Sequence, residues 1–141
     1  MKNIRTLMLL VFCSIHFLGW SQSNKTAIPK KTIENGKQVY NTRCLACHQV
    51  EGGGVPHLNP PLDGASAVVA KNKANLIKIV LHGNAEKREI DGEYYSNIMA
   101  PHSDLSNQQI ADVLTYIRNN WTNKASVVNA AEVKSIRAKL K

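Results

Sequence analysis

The sequence predicts an all-α fold: one small domain of short helices separated by two long irregular loops. Three observations lead to it. Apolar residues recur at helical spacing in three segments, which begin near Thr32, Lys73 and Ser106. Only the region around Asp91-Gly92 carries a strand-pair signal, and it is short. The stretches 49–64 and 84–104 hold Gly52-Gly53-Gly54, Pro60-Pro61, Asp91-Gly92 and Pro101, all of which interrupt helices. Irregular segments of that length are uncommon in a compact domain. Helices this short bury little apolar surface and usually need a staple. Together these features imply a large buried ligand that fills the middle of the fold.

The chain does not open with that domain. Residues 1–21 carry a positive head, Lys2 and Arg5, then an apolar run over residues 7–18. Gly19 and Ser21 follow, at the small-residue positions of a secretory cleavage site. The run is shorter than the roughly 20 residues that a spanning helix needs, so a cleaved signal peptide is expected rather than a retained anchor. Cleavage before Gln22 removes Cys13 and leaves two cysteines, Cys44 and Cys47. A lipoprotein-type cut before Cys13 fits less well, because Phe12 is bulky. The implied location is the bacterial periplasm or another exported compartment. Residues 22–31 read as a flexible leader, residues 32–123 as the domain and residues 124–141 as a tail.

Each element has a local reason. Ile33, Gly36, Tyr40 and Cys44 share one helical face, and that helix runs straight into residues 44–48. A turn of helix is expected over residues 65–70. Leu76, Ile77, Val80 and Leu81 line one side of a helix over residues 73–82, and Gly83 is a natural stop. Asp91-Gly92 joins residues 87–90 to residues 93–95 as a tight turn. Ser106 and Gln109 fit a capping box. They open the strongest helix, whose stripe is Ile110, Val113, Leu114, Ile117 and Trp121. Val133, Ile136 and Leu140 give the tail a short amphipathic helix, which packs on the domain, frays, or meets a partner or membrane surface.

The formal net charge of the whole chain is +8. Without residues 1–21 it keeps 16 Lys and Arg against 10 Asp and Glu, a balance of +6. Such a charge suits partner proteins with acidic docking surfaces or, at the periphery, anionic lipid headgroups. No interleaving of aromatic and basic residues supports nucleic-acid binding.

The chemistry lies in Cys44-Leu45-Ala46-Cys47-His48. Three readings compete. A redox dithiol needs a βαβ context, and no strand precedes Cys44. A structural zinc site needs four ligands, and no second pair has zinc-like spacing, although His57, His82 or His102 could be recruited. The third reading is covalent haem attachment, for which C-x-x-C-H is the pattern. Each thiol adds to one vinyl group, and the adjacent His48 lies under the ring to bind iron. A second iron ligand must then come from the far face. Met99 is the leading candidate, in a loop stiffened by Pro101. His102 is its main rival and His57 a weaker one.

With these residues in view, the chain resembles class I cytochrome c over residues 32–123. Gly36, Tyr40 and Tyr116 match the positions where the first and last helices of that family cross. The resemblance implies that the Pro60 carbonyl accepts a hydrogen bond from the His48 ring and that Leu62 packs on the haem edge. It also implies that Met99 is the axial methionine. "GGGVPHLNPPLDG", "IVLHG", "DGEYY" and "LSNQQIADVLTYIRNNW" are similar to bacterial domains partnered with quinoprotein dehydrogenases, copper nitrite reductases or terminal oxidases. In that group proline often follows the methionine directly, whereas Ala100 intervenes here. The implied function is a single-electron carrier with one haem c bound through Cys44 and Cys47, and no catalysis of its own. The alternatives are an electron-transfer subunit of a larger oxidoreductase or oxidase, and an open-site haem protein that binds gases or peroxide. Leu62, Val80, Leu81, Leu114 and Ile117 are expected to keep water from the ring. Lys71, Lys73 or Lys87 are expected around its exposed edge.

Overall fold

The structure, a computed structural model, describes residues 27–140; the expected signal peptide, residues 1–21, and the first part of the leader, residues 22–26, lie outside the described residues. Helix α1 spans Lys30–Arg43 and starts two residues before the expected Thr32, directly after Pro29. Proline has its φ already fixed and no N–H to lose, so the helix starts there at little cost. One further helical turn, α2 (Leu45–His48), carries the cysteine motif. Helix α3 (Ser66–Val69) and helix α4 (Ala74–His82) follow. Strands β1 (Arg88–Ile90) and β2 (Glu93–Tyr95) form an antiparallel hairpin in which Arg88 faces Tyr95 and Ile90 faces Glu93. Its turn residues, Asp91 and Gly92, have φ of 52° and 87°, as a type I′ connection requires. Helix α5 (Asn107–Ile117) opens on the expected capping box between Ser106 and Gln109, and α6 (Ala130–Ala138) closes the fold. Among the described residues no helix is long and apolar enough to cross a membrane.

The frame is the crossing of α1 and α5, the most extensive helix pair in the fold. Gly36 makes it possible. A Cβ placed there would lie 2.2 Å from the Asp112 carbonyl oxygen and 2.7 Å from Tyr116 Cβ. Beside the crossing, Tyr40, Tyr116 and Trp121 form an aromatic cluster with ring centroids 5.5–6.1 Å apart in tilted and edge-on pairs, the arrangement that ring quadrupoles favour.

The segment after Ile117 is built into the core. Thr115 Oγ1 accepts from the Val128 N–H and donates to the Val128 carbonyl. Val128 and Val133 are buried, and Val133 has no exposed surface. Lys73 Nζ reaches Glu132 at 2.6 Å and the Val127 carbonyl at 2.8 Å. The amphipathic face of α6 therefore packs on α4 and α5.

Arg118 is the largest of the fully buried side chains, and periodicity gave no sign of it. Its guanidinium donates to the carbonyls of Val68, Ala70 and Ser126. Burial lowers its pKa and Glu132 opposes the shift, but an arginine stays charged throughout. One side chain thus ties α3, α5 and the following segment together. Arg118→Met keeps the volume and strands those carbonyls. Each lost partner costs about 1–3 kcal/mol, so the variant is expected to lose about 3 kcal/mol in denaturant unfolding.

Candidate haem site

The cysteine motif is helical, and that sets its geometry. The N–H groups of Cys44 and His48 donate to the carbonyls of Tyr40 and Cys44 at 2.9 Å, which continues the path of α1. Cys44, Cys47 and His48, at spacings of three and four, therefore share one face. Cys44 is half-buried and Cys47 exposed, and both are free thiols. Burial and the neighbouring Cys47 push the Cys44 thiol up to about 11, with Arg43 pulling the other way. A redox dithiol needs the opposite shift, toward thiolate at neutral pH.

The His48 ring is buried. Its Nδ1 lies 3.0 Å from the Pro60 carbonyl oxygen. With Nδ1–H donating there, Nε2 is left with its lone pair free to bind a metal. Burial lowers the pKa of the ring, the Pro60 bond opposes this, and His102 lowers it slightly further. The ring is thus held neutral, the form that ligates.

Pro60 is held in place from a distance. The loop carrying it is fastened to the residues just beyond α5. Trp121 covers Gly52 and donates from Nε1 to the Val50 carbonyl. Asp63 Oδ1 accepts from the backbone N–H and the hydroxyl of Thr122. Asn123 is buried, donates to the Leu62 and Ile117 carbonyls and accepts from the Gly64 N–H.

Met99 is held just beyond the end of α4. It pairs with Asn84 through two backbone hydrogen bonds of 2.9 Å, and its carbonyl lies against Gly83. The next residues are fixed too, because the His102 N–H donates to the Val80 carbonyl at 2.9 Å.

These pieces surround one cleft. Two cavities, of about 220 and 100 Å³, share Cys44, His48, Pro60, Ile79, Met99 and His102 among their walls. The deeper one is walled mainly by aliphatic residues, including Leu62, Val80, Leu105, Leu114 and Ile117. The shallower one opens past Cys47, Arg43 and Ile98. All six expected site residues line the cleft. Leu81 does not; it is buried on the other side of α4. His57 lies outside the cleft, exposed and 3.6 Å from Glu93. Tyr95 lines the cleft, whereas the adjacent Tyr94 is exposed under the Lys87 ammonium. The expected lysines are elsewhere: Lys73 is bound to Glu132, and Lys71 borders the groove by α6. The cations along the cleft are Arg43 and Arg88, neither of which spacing had flagged.

The residues fit a haem. An apolar slot has two thiols at its mouth, a neutral imidazole on its wall and a thioether in reach of the same space. The family model described as cytochrome c matches residues 33–121, a span that contains every one of these groups. The chain is 35% identical over 118 residues to the cytochrome c subunit of a quinone alcohol dehydrogenase from Gluconacetobacter polyoxogenes, covering 83% of this chain and 25% of that protein. It is 34% identical over 113 residues to cytochrome c-552 from Thermus thermophilus, covering 74% of this chain and 86% of that protein. A fructose dehydrogenase cytochrome subunit from Gluconobacter japonicus is 28% identical over 122 residues. This chain spans about a quarter of the length of the two dehydrogenase subunits. Cleft, motif and matches agree: the chain belongs to the cytochrome c family, and its cofactor is covalent c-type haem, with Cys44 and Cys47 in the haem-binding region.

Proposed function

We propose that this protein is a one-electron carrier that works in an exported, periplasm-like compartment. Cys44 and Cys47 would hold the haem as thioethers, and His48 and Met99 would ligate its iron. When bound, the haem supplies a single ferric/ferrous couple. The observation that carries the reading is the joint lining of one cleft by His48 and Met99, each fixed by hydrogen bonds to a neighbouring segment.

Each side chain then has a task. The Pro60 carbonyl orients the imidazole and raises its basicity. Met99 offers a soft sulfur that favours the ferrous state and raises the potential. With both ligands supplied by the protein, the iron would be reserved for electron transfer rather than for binding a substrate. Leu62, Val80, Leu114 and Ile117 exclude water, and the low polarity around them disfavours the more charged ferric state.

The partners are redox proteins. The names of the dehydrogenase subunits support a dehydrogenase as electron donor. At the cleft mouth Ile98 is 73% exposed, and the chain's formal net charge of +8 suits an acidic docking surface. The same haem chemistry serves a free carrier or a subunit of a larger oxidoreductase, and co-purification in mild detergent separates the two.

The first test is the spectrum of the oxidised, haem-loaded protein. The weak far-red band of sulfur bonded to ferric iron is expected in wild type and absent in Met99→Ala. The reduced variant is expected to bind carbon monoxide readily and the wild type not. A wild type without the band that binds carbon monoxide overturns the carrier reading in favour of an open site. A wild type without either sign points to His102, which lines the same cleft.

A further inference from the structure

The cleft holds one charged group that the reading above does not use. Arg43 and Arg88 both line it. Arg43 is engaged, with Nη2 2.5 Å from Asp104 Oδ2. Arg88 makes no ion pair among the described residues, although Glu86, Glu89 and Glu93 lie close in sequence. Its Nη2 donates to the neutral Asn84 Oδ1 at 2.9 Å.

Arg88 faces the cleft because of its place in β1. Successive strand residues point to opposite faces. Arg88 and Ile90 are half-buried and line the cleft, while Glu89 between them is exposed. A strand that presents isoleucine to an apolar slot thus presents an arginine to it as well. A guanidinium carries five donors in a planar fork, and Asn84 accepts from one of its nitrogens. Asn97 and Asn59 sit on the same wall, joined by a 3.1 Å bond from Asn97 Nδ2 to Asn59 Oδ1. An otherwise apolar cleft therefore has a polar rim with a cation that no carboxylate among the described residues neutralises.

We propose that Arg88, positioned by Asn84, binds a propionate carboxylate of the haem, and that the Asn59–Asn97 pair completes this polar rim. The inference rests on the haem reading. A carboxylate beside an apolar slot is costly unless it is paired and hydrogen-bonded. Arginine meets a carboxylate with two parallel N–H bonds, whereas lysine acts as a point charge. Arg88 is then a positioning residue for the ring and a fixed positive charge beside it.

The test uses the haem-loaded protein and two variants, Arg88→Gln and Arg88→Lys. The propionate bending mode in the resonance Raman spectrum reports hydrogen bonding to the carboxylates directly. It is expected to shift in Arg88→Gln and to recover partly in Arg88→Lys, with the far-red sulfur band unchanged in both. The midpoint potential gives a second readout. It falls as pH rises through the pKa of a propionate, because a new negative charge stabilises ferric iron. An arginine partner lowers a carboxylate pKa by about 1–3 units. The inflection is therefore expected to move up by about one pH unit or more in Arg88→Gln. An unmoved Raman mode together with an unmoved inflection overturns the proposal. So does an unmoved mode with a weakened salt dependence of electron exchange, which would assign Arg88 to a partner's carboxylate instead. If Arg88→Gln does not mature, a crystal structure of the wild-type holoprotein decides. A guanidinium beyond hydrogen-bond distance of both propionates overturns the proposal. Loss of the sulfur band in wild type would instead count against the axial-ligand reading and leave the Arg88 readout interpretable.

Discussion

Gly36→Ala is expected to cost the haem-loaded protein about 2 kcal/mol, although alanine is the better helix former. Propensity alone favours the change by about 1 kcal/mol. The added carbon, however, would sit 2.2 Å from the Asp112 carbonyl oxygen and 2.7 Å from its carbon. Both are backbone atoms of α5, so no rotamer change relieves the overlap and the helices must separate. Separation weakens the Tyr40–Tyr116–Trp121 cluster, whose rings belong to α1, α5 and the segment after it. Overpacking of this kind costs about 1–3 kcal/mol or more, which exceeds the propensity gain. Denaturant unfolding of the haem-loaded variant measures the difference. Unchanged stability would mean that the two helices do not cross this closely.

The second large effect is expected at Gly83, and it falls on the iron rather than on the fold. Gly83 has φ 70° and ψ −165°, a conformation almost confined to glycine that costs another residue about 1–3 kcal/mol. A Cβ there would lie 2.2 Å from the Met99 carbonyl oxygen and 2.8 Å from the Pro101 nitrogen. In Gly83→Ala the strand of chain carrying Met99 must move off α4 and break its pairing with Asn84. Haem attachment is expected to survive, because Cys44, Cys47 and His48 lie on another element. The far-red sulfur band is expected to disappear, the reduction potential to fall and carbon monoxide to bind. A variant that keeps the band would show that the Gly83 contact does not hold the methionine.

What was legible in the sequence was local. The capping box at Ser106, the turn at Asp91-Gly92 and the stop at Gly83 are each written in a few adjacent residues, and the structure has all three. The C-x-x-C-H motif is legible for the same reason, since its face follows from spacings of three and four on a helix. The loop over residues 49–64 could be marked only as needing an organiser. Its fastenings are single side chains bonded to backbone 59 to 71 residues away, and such contacts leave no periodic trace. Arg118 was hidden because a lone cation beside a helix usually means a solvated surface, whereas here carbonyls from three places converge on it. Arg88 escaped because strand alternation identifies an inward face only once it is known which side is covered.

The pairing of Asn84 with Met99 closes the hairpin region at its neck. Residues 85–98 form an excursion whose two ends are fixed to each other and to α4 before the turn at Asp91-Gly92 is reached. Loop length enters closure entropy only logarithmically, so lengthening the tip leaves the neck almost undisturbed. The fold thereby separates a fixed instrument from an exchangeable handle. Lys87, Tyr94 and Ile98, exposed on the excursion, are free to be traded for residues that suit another electron partner. In the proposed ligation the Met99 backbone stays pinned at Gly83 and Asn84, so the potential need not be reset each time the partner changes.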